Sequence, residues 1–139
     1  MSKTLFQTER YQSEITEFMN RRIYILEDDP DIGIILQYFL TEEGFDVQLF
    51  SNVEECQHAL DKQLPDLCLF DIMLPDGDGI TICNNLKQGN ASDLPIILMS
   101  AGEKPANVNE KSQADVFIPK PFDLEVLLNN INRLIIKAA

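Results

Sequence analysis

The sequence has no apolar run approaching the roughly 20 residues that a membrane-spanning helix requires. Its first residues, MSKTLFQTER, contain no apolar core of the kind a secretory leader carries. Neither membrane insertion nor export is expected, and the chain is placed in the cytoplasm. Basic residues are scarce, 11 Lys and Arg against 23 Asp and Glu, a formal charge of −12. Such a surface repels a phosphate backbone, and no Lys/Arg cluster offsets it, so direct nucleic-acid binding is not expected. The three cysteines, Cys56, Cys68 and Cys83, form no CxxC pair and sit among apolar or helical residues, which leaves little basis for a zinc or redox centre. They read as reduced, packed thiols. The single histidine, His58, falls in a helical stretch and reads as a surface residue. Low-complexity segments and internal repeats are also missing.

What is present is a chain of 139 residues, 45% hydrophobic and 24% charged, enough for one domain with a real core and too few for two ordinary ones. Continuous apolar runs alternate with helical patterns, the signature of a parallel sheet covered by helices on both faces. The expected strands are Ile23–Leu26, Phe45–Phe50, Leu67–Phe70, Pro95–Met99 and Val116–Ile118. Between the first two, Ile32, Ile35, Leu36, Phe39 and Leu40 form one apolar stripe, and Gly44 stops that helix. A second helix starts near Ser51 and Asn52, with Glu54 and Glu55 in capping-box positions, runs to about Gln63 and is closed by Pro65. A third carries Ile80, Cys83 and Leu86 to Gly89. The last places Leu124, Leu127, Leu128, Ile131, Leu134 and Ile135 on one face. Residues 1–21 read as an N-terminal extension and 22–139 as the domain. Within the extension Tyr11, Ile15, Phe18 and Met19 lie at helical spacing, which suggests an added amphipathic helix that packs on the domain or on another copy.

In an open parallel α/β sheet the chemistry gathers beyond the carboxyl ends of the strands. Strand one ends in Glu27-Asp28-Asp29 and then Pro30, strand three in Asp71, strand four in Ser100, and strand five runs into Lys120-Pro121. With Pro30 at the first helical position, Asp29 is the natural N-cap, leaving Glu27 and Asp28 for the cleft. Carboxylates meeting beside Asp71 would repel one another unless a cation compensates them. A hard divalent ion suits all-oxygen ligands best, Mg²⁺, with Mn²⁺ able to stand in for it. A carboxylate beside such an ion can attack phosphorus and form an aspartyl phosphate, and Asp71 is the candidate. Lys120 and the Ser100 hydroxyl would meet the added phosphoryl oxygens.

These segments, "IYILEDDPDI", "LCLFDIMLPDGDG", "IILMSAG" and "VFIPKPF" in that order, make the chain resemble the receiver domain of two-component response regulators from about Arg22 onward. The resemblance implies a flavodoxin-like, doubly wound five-stranded parallel sheet of order 2-1-3-4-5. It implies Asp71 as phosphoacceptor, Glu27 and Asp28 as the acidic pair that places the metal, and the Met73 backbone carbonyl as a further ligand. Ser100 takes the switch hydroxyl, Lys120 pairs with the phosphate, Phe117 is the aromatic that reports the state of the site, and Lys120-Pro121 is a cis bond. The implied donor is a sensor histidine kinase or a histidine phosphotransfer protein, with a downstream protein target and self-catalysed dephosphorylation rather than enzyme turnover.

Three other readings are weaker. A flavin module of this fold would need a phosphate-cradling loop where EDDPDI stands. An aspartyl phosphatase usually has a second Asp where Met73 stands. A receiver-like scaffold not regulated by phosphorylation would keep the acids, hydroxyl and lysine as an electrostatic burden. The 139 residues leave none for a DNA-binding or enzymatic output domain, so the expectation is a protein acting alone, through a partner, or as a piece of a longer regulator. Finally, GEKPANVNEKSQA is a poor helix with Val108 almost its only large apolar residue, and is expected to be short or mobile without phosphate and to order when Ser100 and Lys120 close on the phosphoryl group.

Overall fold

The computed structural model describes residues 20–138; the expected N-terminal helix falls outside them. Five strands, β1 (Arg22–Leu26), β2 (Asp46–Phe50), β3 (Leu67–Asp71), β4 (Ile96–Ser100) and β5 (Val116–Pro119), form one parallel sheet of order β2-β1-β3-β4-β5. The helices are α1 (Pro30–Glu42), α2 (Val53–Lys62), α3 (Gly79–Gln88), α4 (Pro105–Lys111) and α5 (Leu124–Ala138). A two-residue antiparallel ribbon, Met73–Leu74 with Gly77–Asp78, links β3 to α3.

The strands read as unbroken apolar runs because both sheet faces are covered, and alternate residues feed two cores. Ile23, Ile25, Leu67, Leu69, Ile97 and Met99 pack with Leu36 and Leu40 of α1 and Leu127, Ile131 and Ile135 of α5. Tyr24, Leu26, Cys68, Phe70, Ile96 and Leu98 pack with Cys56 and Leu60 of α2, Ile82 and Cys83 of α3 and Val108 of α4. All three cysteines are free and buried, and burial pushes the Cys56 thiol up to about 12 and Cys83 to about 11. At neutral pH they are packed thiols, not nucleophiles. His58 is exposed.

Local chemistry sets the helix ends. Pro30 takes the first position of α1, and the Asp29 side chain accepts from the N–H groups of Asp31 (2.9 Å) and Ile32 (3.3 Å). Gly44, at φ 99°, ends the helix in the left-handed region. Asn52, and not Ser51, caps α2 by accepting from Glu55 N–H at 2.9 Å. One apolar stripe is rotated from its expected position. The buried line of α1 is Gly33, Leu36 and Leu40, with Ile32 and Phe39 beside it, whereas Ile35 is 55% exposed. The cause is Gly33, whose missing side chain lets the helix approach β2 so closely that a Cβ there would lie 3.1 Å from Leu49. That contact turns Ile35 outward.

Helix α4 is formed but thinly held. It spans seven residues, has Lys104 at its N-cap with no side-chain cap bond, and buries only Val108. Fixing seven backbones costs about 7–14 kcal/mol, against about 1.5–3 kcal/mol from one buried Val, so its bonds and neighbours must supply the rest. Asn84 of α3 is one such neighbour, donating to the Lys111 carbonyl and accepting from Gln113 N–H, both at 2.9 Å. Amide hydrogen exchange should therefore be faster across 105–112 than in the middle of α5 by at least about tenfold, and should slow when a phosphoryl mimic binds. Protection of α4 equal to that of α5 before the mimic is added would contradict this.

Candidate functional site at the strand ends

The chain leaves β1 in one direction to build β2 and returns across it to build β3, so the order reverses between β1 and β3. At such a switch point the loops diverge and open a crevice at the carboxyl ends. The register Leu26↔Phe70 brings Glu27 and Asp28 to the level of Asp71, the last residue of β3. Asp71↔Met99 and Ser100↔Pro119 carry the same level across β4 and β5, so Ser100 and Lys120 end beside it.

Carboxylate oxygens of Glu27, Asp28 and Asp71 lie within 4.8 Å of one another. Glu27 is 2% exposed and Asp71 6%, while Asp28 is exposed at the rim. The Lys120 ammonium donates to Glu27 Oε1 and, at 3.2 Å, to Asp71 Oδ2. The longer reach of Glu compared with Asp lets Glu27 meet the lysine while its second oxygen accepts from Asp29 N–H at 3.3 Å. Ser100 is 1% exposed, and its Oγ accepts from Gly102 N–H at 3.3 Å. Phe117 lies farther back on β5, opposite Leu98, and is half-buried against the second core. Met73 is exposed in the ribbon. Lys120-Pro121 is cis.

Three carboxylates and one ammonium leave two negative charges in a mostly buried cluster. Burial, then Asp71 as hydrogen-bond partner and charge, pushes Glu27 up to about 7 against the opposing pull of Lys120. Burial alone would lower Lys120, but its hydrogen bond to Glu27 and the charges of Glu27 and Asp71 outweigh that and raise it. Below about pH 7 the cluster therefore takes up a proton that an oxygen-seeking divalent cation would displace, and the residues present fit such an ion.

A pH effect follows. Glu27 binds its proton more tightly folded than unfolded, so the metal-free fold gains stability below the unfolded value of 4.5 and loses it as pH rises through about 7. The loss should be on the order of 2–3 kcal/mol between pH 4.5 and 8. Thermal melts in EDTA should show Tm falling over that window, and a flat profile would contradict it. Lys120, shifted above 10.5, contributes nothing to this window.

Two site features are not visible in the local sequence. Gly79 packs so tightly that a Cβ there would lie 2.3 Å from the Asp71 carbonyl oxygen, and its N–H donates to the Ile72 carbonyl at 2.9 Å. Asp76, at the ribbon tip, accepts from Val53 N–H (2.7 Å) and Glu54 N–H (3.0 Å) of α2. The partners of Asp76 lie 22 to 23 residues away in sequence, and nothing beside Gly79 announces how closely it meets the end of β3.

The response regulator receiver domain model matches residues 23–132. The chain belongs to the response regulator receiver domain family. It is therefore a receiver of two-component signalling, a phosphoacceptor domain. Among curated proteins it is 34% identical over 116 residues to the transcriptional regulatory protein RprY of Bacteroides fragilis, covering 82% of this chain and 49% of that one. It is 33% identical over 120 residues to the phosphate regulon transcriptional regulatory protein PhoB of Rhizobium meliloti, covering 84% and 53%. The chain thus spans about half the length of these relatives. Among solved structures, the receiver domain of a signal transduction histidine kinase from Syntrophus aciditrophicus is 30% identical with a TM-score of 0.77, covering 83% of this chain and 89% of that one. The receiver domain of a Francisella response regulator, at 23% identity, shares the fold with a TM-score of 0.79, covering 86% and 100%.

Proposed function

We propose that Asp71 accepts a phosphoryl group from a phosphohistidine on a sensor histidine kinase or a histidine phosphotransfer protein, and that this switches the binding of a downstream protein partner. The observation that carries the reading is the convergence of Glu27, Asp28 and Asp71 with the Lys120 ammonium at one end of the sheet. In the transfer an Asp71 oxygen bonds to phosphorus as the bond from phosphorus to the donor imidazole nitrogen breaks, the nitrogen keeping the electron pair. Glu27, Asp28, Asp71 and the Met73 carbonyl would hold Mg²⁺, or Mn²⁺, which when bound supplies positive charge for the phosphoryl oxygens. Lys120 exchanges its contact with Asp71 for one to a phosphoryl oxygen, and the Ser100 hydroxyl gives up Gly102 and donates to another. Hydrolysis of the acyl phosphate by water at the same site ends the signal, so the domain switches and does not turn over an external substrate.

Tension between the buried, pre-formed strand ends and the thinly held α4 supports the switch. Ser100 leads directly into Ala101-Gly102 and then α4, so a hydroxyl drawn to the phosphate pulls on that segment. Phe117 follows as the aromatic that reports it. Among the described residues no helix is long and apolar enough to cross a membrane, which suits a cytoplasmic receiver. With 23 acidic residues against 11 basic ones in the whole chain, the protein's surface is proposed not to touch nucleic acid itself.

The experiment is labelling of the full chain with a small acyl phosphate. One phosphoryl group should be taken up with Mg²⁺ and none in EDTA; metal-independent uptake would contradict the reading. The donor's own approach makes a further prediction. A protein donor must bring its imidazole to Asp71 past the rim, where Ile32, Ile35, Pro121, Phe122 and Leu124 line an apolar groove next to Lys120. Ile35→Glu should slow transfer from a protein donor by about tenfold or more while leaving labelling by the small acyl phosphate within about twofold. Equal slowing of both would place the effect in the site and not in docking.

A further inference from the structure

The loop that follows Asp71 carries Met73 between Ile72, which is buried, and Leu74, which packs on the second core, and beyond these two side chains its own ribbon adds little. Its ribbon has two residue pairs, Met73↔Asp78 and Leu74↔Gly77, and a two-stranded ribbon alone is marginal in water. The Met73 side chain is 67% exposed and anchors nothing. At its base the loop is fixed by Ile72 N–H to the Met99 carbonyl (3.0 Å) and by Gly79 N–H to the Ile72 carbonyl (2.9 Å). At its tip the only side-chain anchor among the described hydrogen bonds is Asp76. One of its oxygens accepts from Val53 N–H at 2.7 Å and the other from Glu54 N–H at 3.0 Å. The Val53 side chain also sits where a Cβ on Gly77 would find it at 3.1 Å. These N–H groups open α2, 22 to 23 residues away in sequence.

We infer that Asp76 is a positioning residue for phosphoryl transfer: by clamping the ribbon tip to the first turn of α2 it holds the Met73 carbonyl where the metal is received beside Asp71. The inference deepens the phosphoacceptor reading and rests on it. Helix α2 has a cap of its own in Asn52, which takes the Glu55 N–H at 2.9 Å, so the helix has a local cap without Asp76. What Asp76 adds is a bond between segments. Its carboxyl is held below its usual range, first by Val53 N–H and also by Glu54 N–H, as a carboxylate at a helix N-terminus should be. The clamp therefore stays ionised and closed at neutral pH.

Asn52 supplies the control, because it caps the same helix turn without touching the loop. In the full chain, Asp76→Ala and Asn52→Ala should each lower Tm by a few degrees. Mg²⁺ titration by calorimetry should then separate them. Asp76→Ala is expected to raise the Mg²⁺ Kd by about tenfold, the size typical of lost support behind a metal ligand, and Asn52→Ala to change it by less than about twofold. Labelling by acyl phosphate should slow in Asp76→Ala at low Mg²⁺ and recover at saturating Mg²⁺. Asp76→Asn, which keeps one acceptor oxygen, should fall between wild type and Asp76→Ala, and it carries the comparison should Asp76→Ala unfold. Equal Mg²⁺ affinities in the Asp76 and Asn52 variants would overturn the inference and reduce Asp76 to a second cap. A wild-type chain that binds no Mg²⁺ would instead overturn the phosphoacceptor reading beneath it.

Discussion

Asp71→Asn is expected to abolish phosphoryl uptake and, in the absence of metal, to make the protein more stable. The amide keeps the shape of the side chain but has no carboxylate to attack phosphorus, so labelling falls to background. The gain in stability comes from the same substitution. Asp71 is largely buried beside Glu27, which burial first and then Asp71 push up to about 7, and Lys120 cannot neutralise both together with Asp28. Removing one negative charge relieves repulsion and lets Glu27 ionise against Lys120. The gain should be about 1–2 kcal/mol at neutral pH, a Tm rise of a few degrees. Saturating Mg²⁺ should reverse the order, because ligand binding stabilises the wild type by RT ln(1 + [L]/Kd) and the variant by less. Calorimetric melts of both proteins in EDTA and in Mg²⁺ check this. A variant less stable than wild type in EDTA would mean that the Lys120–Asp71 ion pair outweighs the repulsion.

Gly79→Ala is expected to be the most damaging single-methyl substitution near the site. A Cβ there would sit 2.3 Å from the Asp71 carbonyl oxygen and 3.1 Å from its carbonyl carbon, and these are backbone atoms that cannot swing aside. Either the first turn of α3 or the end of β3 must move, and both are fixed. β3 is buried along its whole length, and α3 is capped by Asp78, which accepts from Thr81 N–H at 2.8 Å. The cost should be about 3 kcal/mol or more, at the upper end of overpacking penalties. The displacement falls on Asp71 itself, so phosphorylation should drop along with stability. Urea denaturation measures the first and acyl-phosphate labelling the second. A loss below about 1 kcal/mol would show that the helix start can shift freely.

The parts of this structure that were legible in the sequence are those that depend on local pattern. Apolar runs gave the five strands to within a residue or two, and Pro30, Gly44 and Gly89 marked helix ends because they act through their own backbones. The convergence of residues at the strand ends could be read because a parallel sheet aligns its carboxyl ends, so Glu27, Asp28, Asp71, Ser100 and Lys120, the proposed site, needed only their strands to be found. What stayed hidden depends on approach between distant segments. Ile35 fits the apolar stripe of α1, and only the closeness of Gly33 to Leu49 shows that the helix is turned. Helix α4 looks unsupported in sequence because its partner, Asn84, lies on α3. Asp76 reads as a turn residue, and nothing near it names Val53 and Glu54 as its partners.

The central claim is that the phosphoryl group rides on the Asp71 carboxylate, and chemical trapping tests it most directly. An aspartyl phosphate is reduced by borohydride to homoserine, whereas phosphoserine, phosphothreonine and unmodified aspartate are not. The full chain, phosphorylated with a small acyl phosphate and Mg²⁺, reduced, digested and sequenced by tandem mass spectrometry, should show homoserine at position 71 alone. Homoserine at position 28 or elsewhere, or a phosphorylated chain that yields none, would contradict the account.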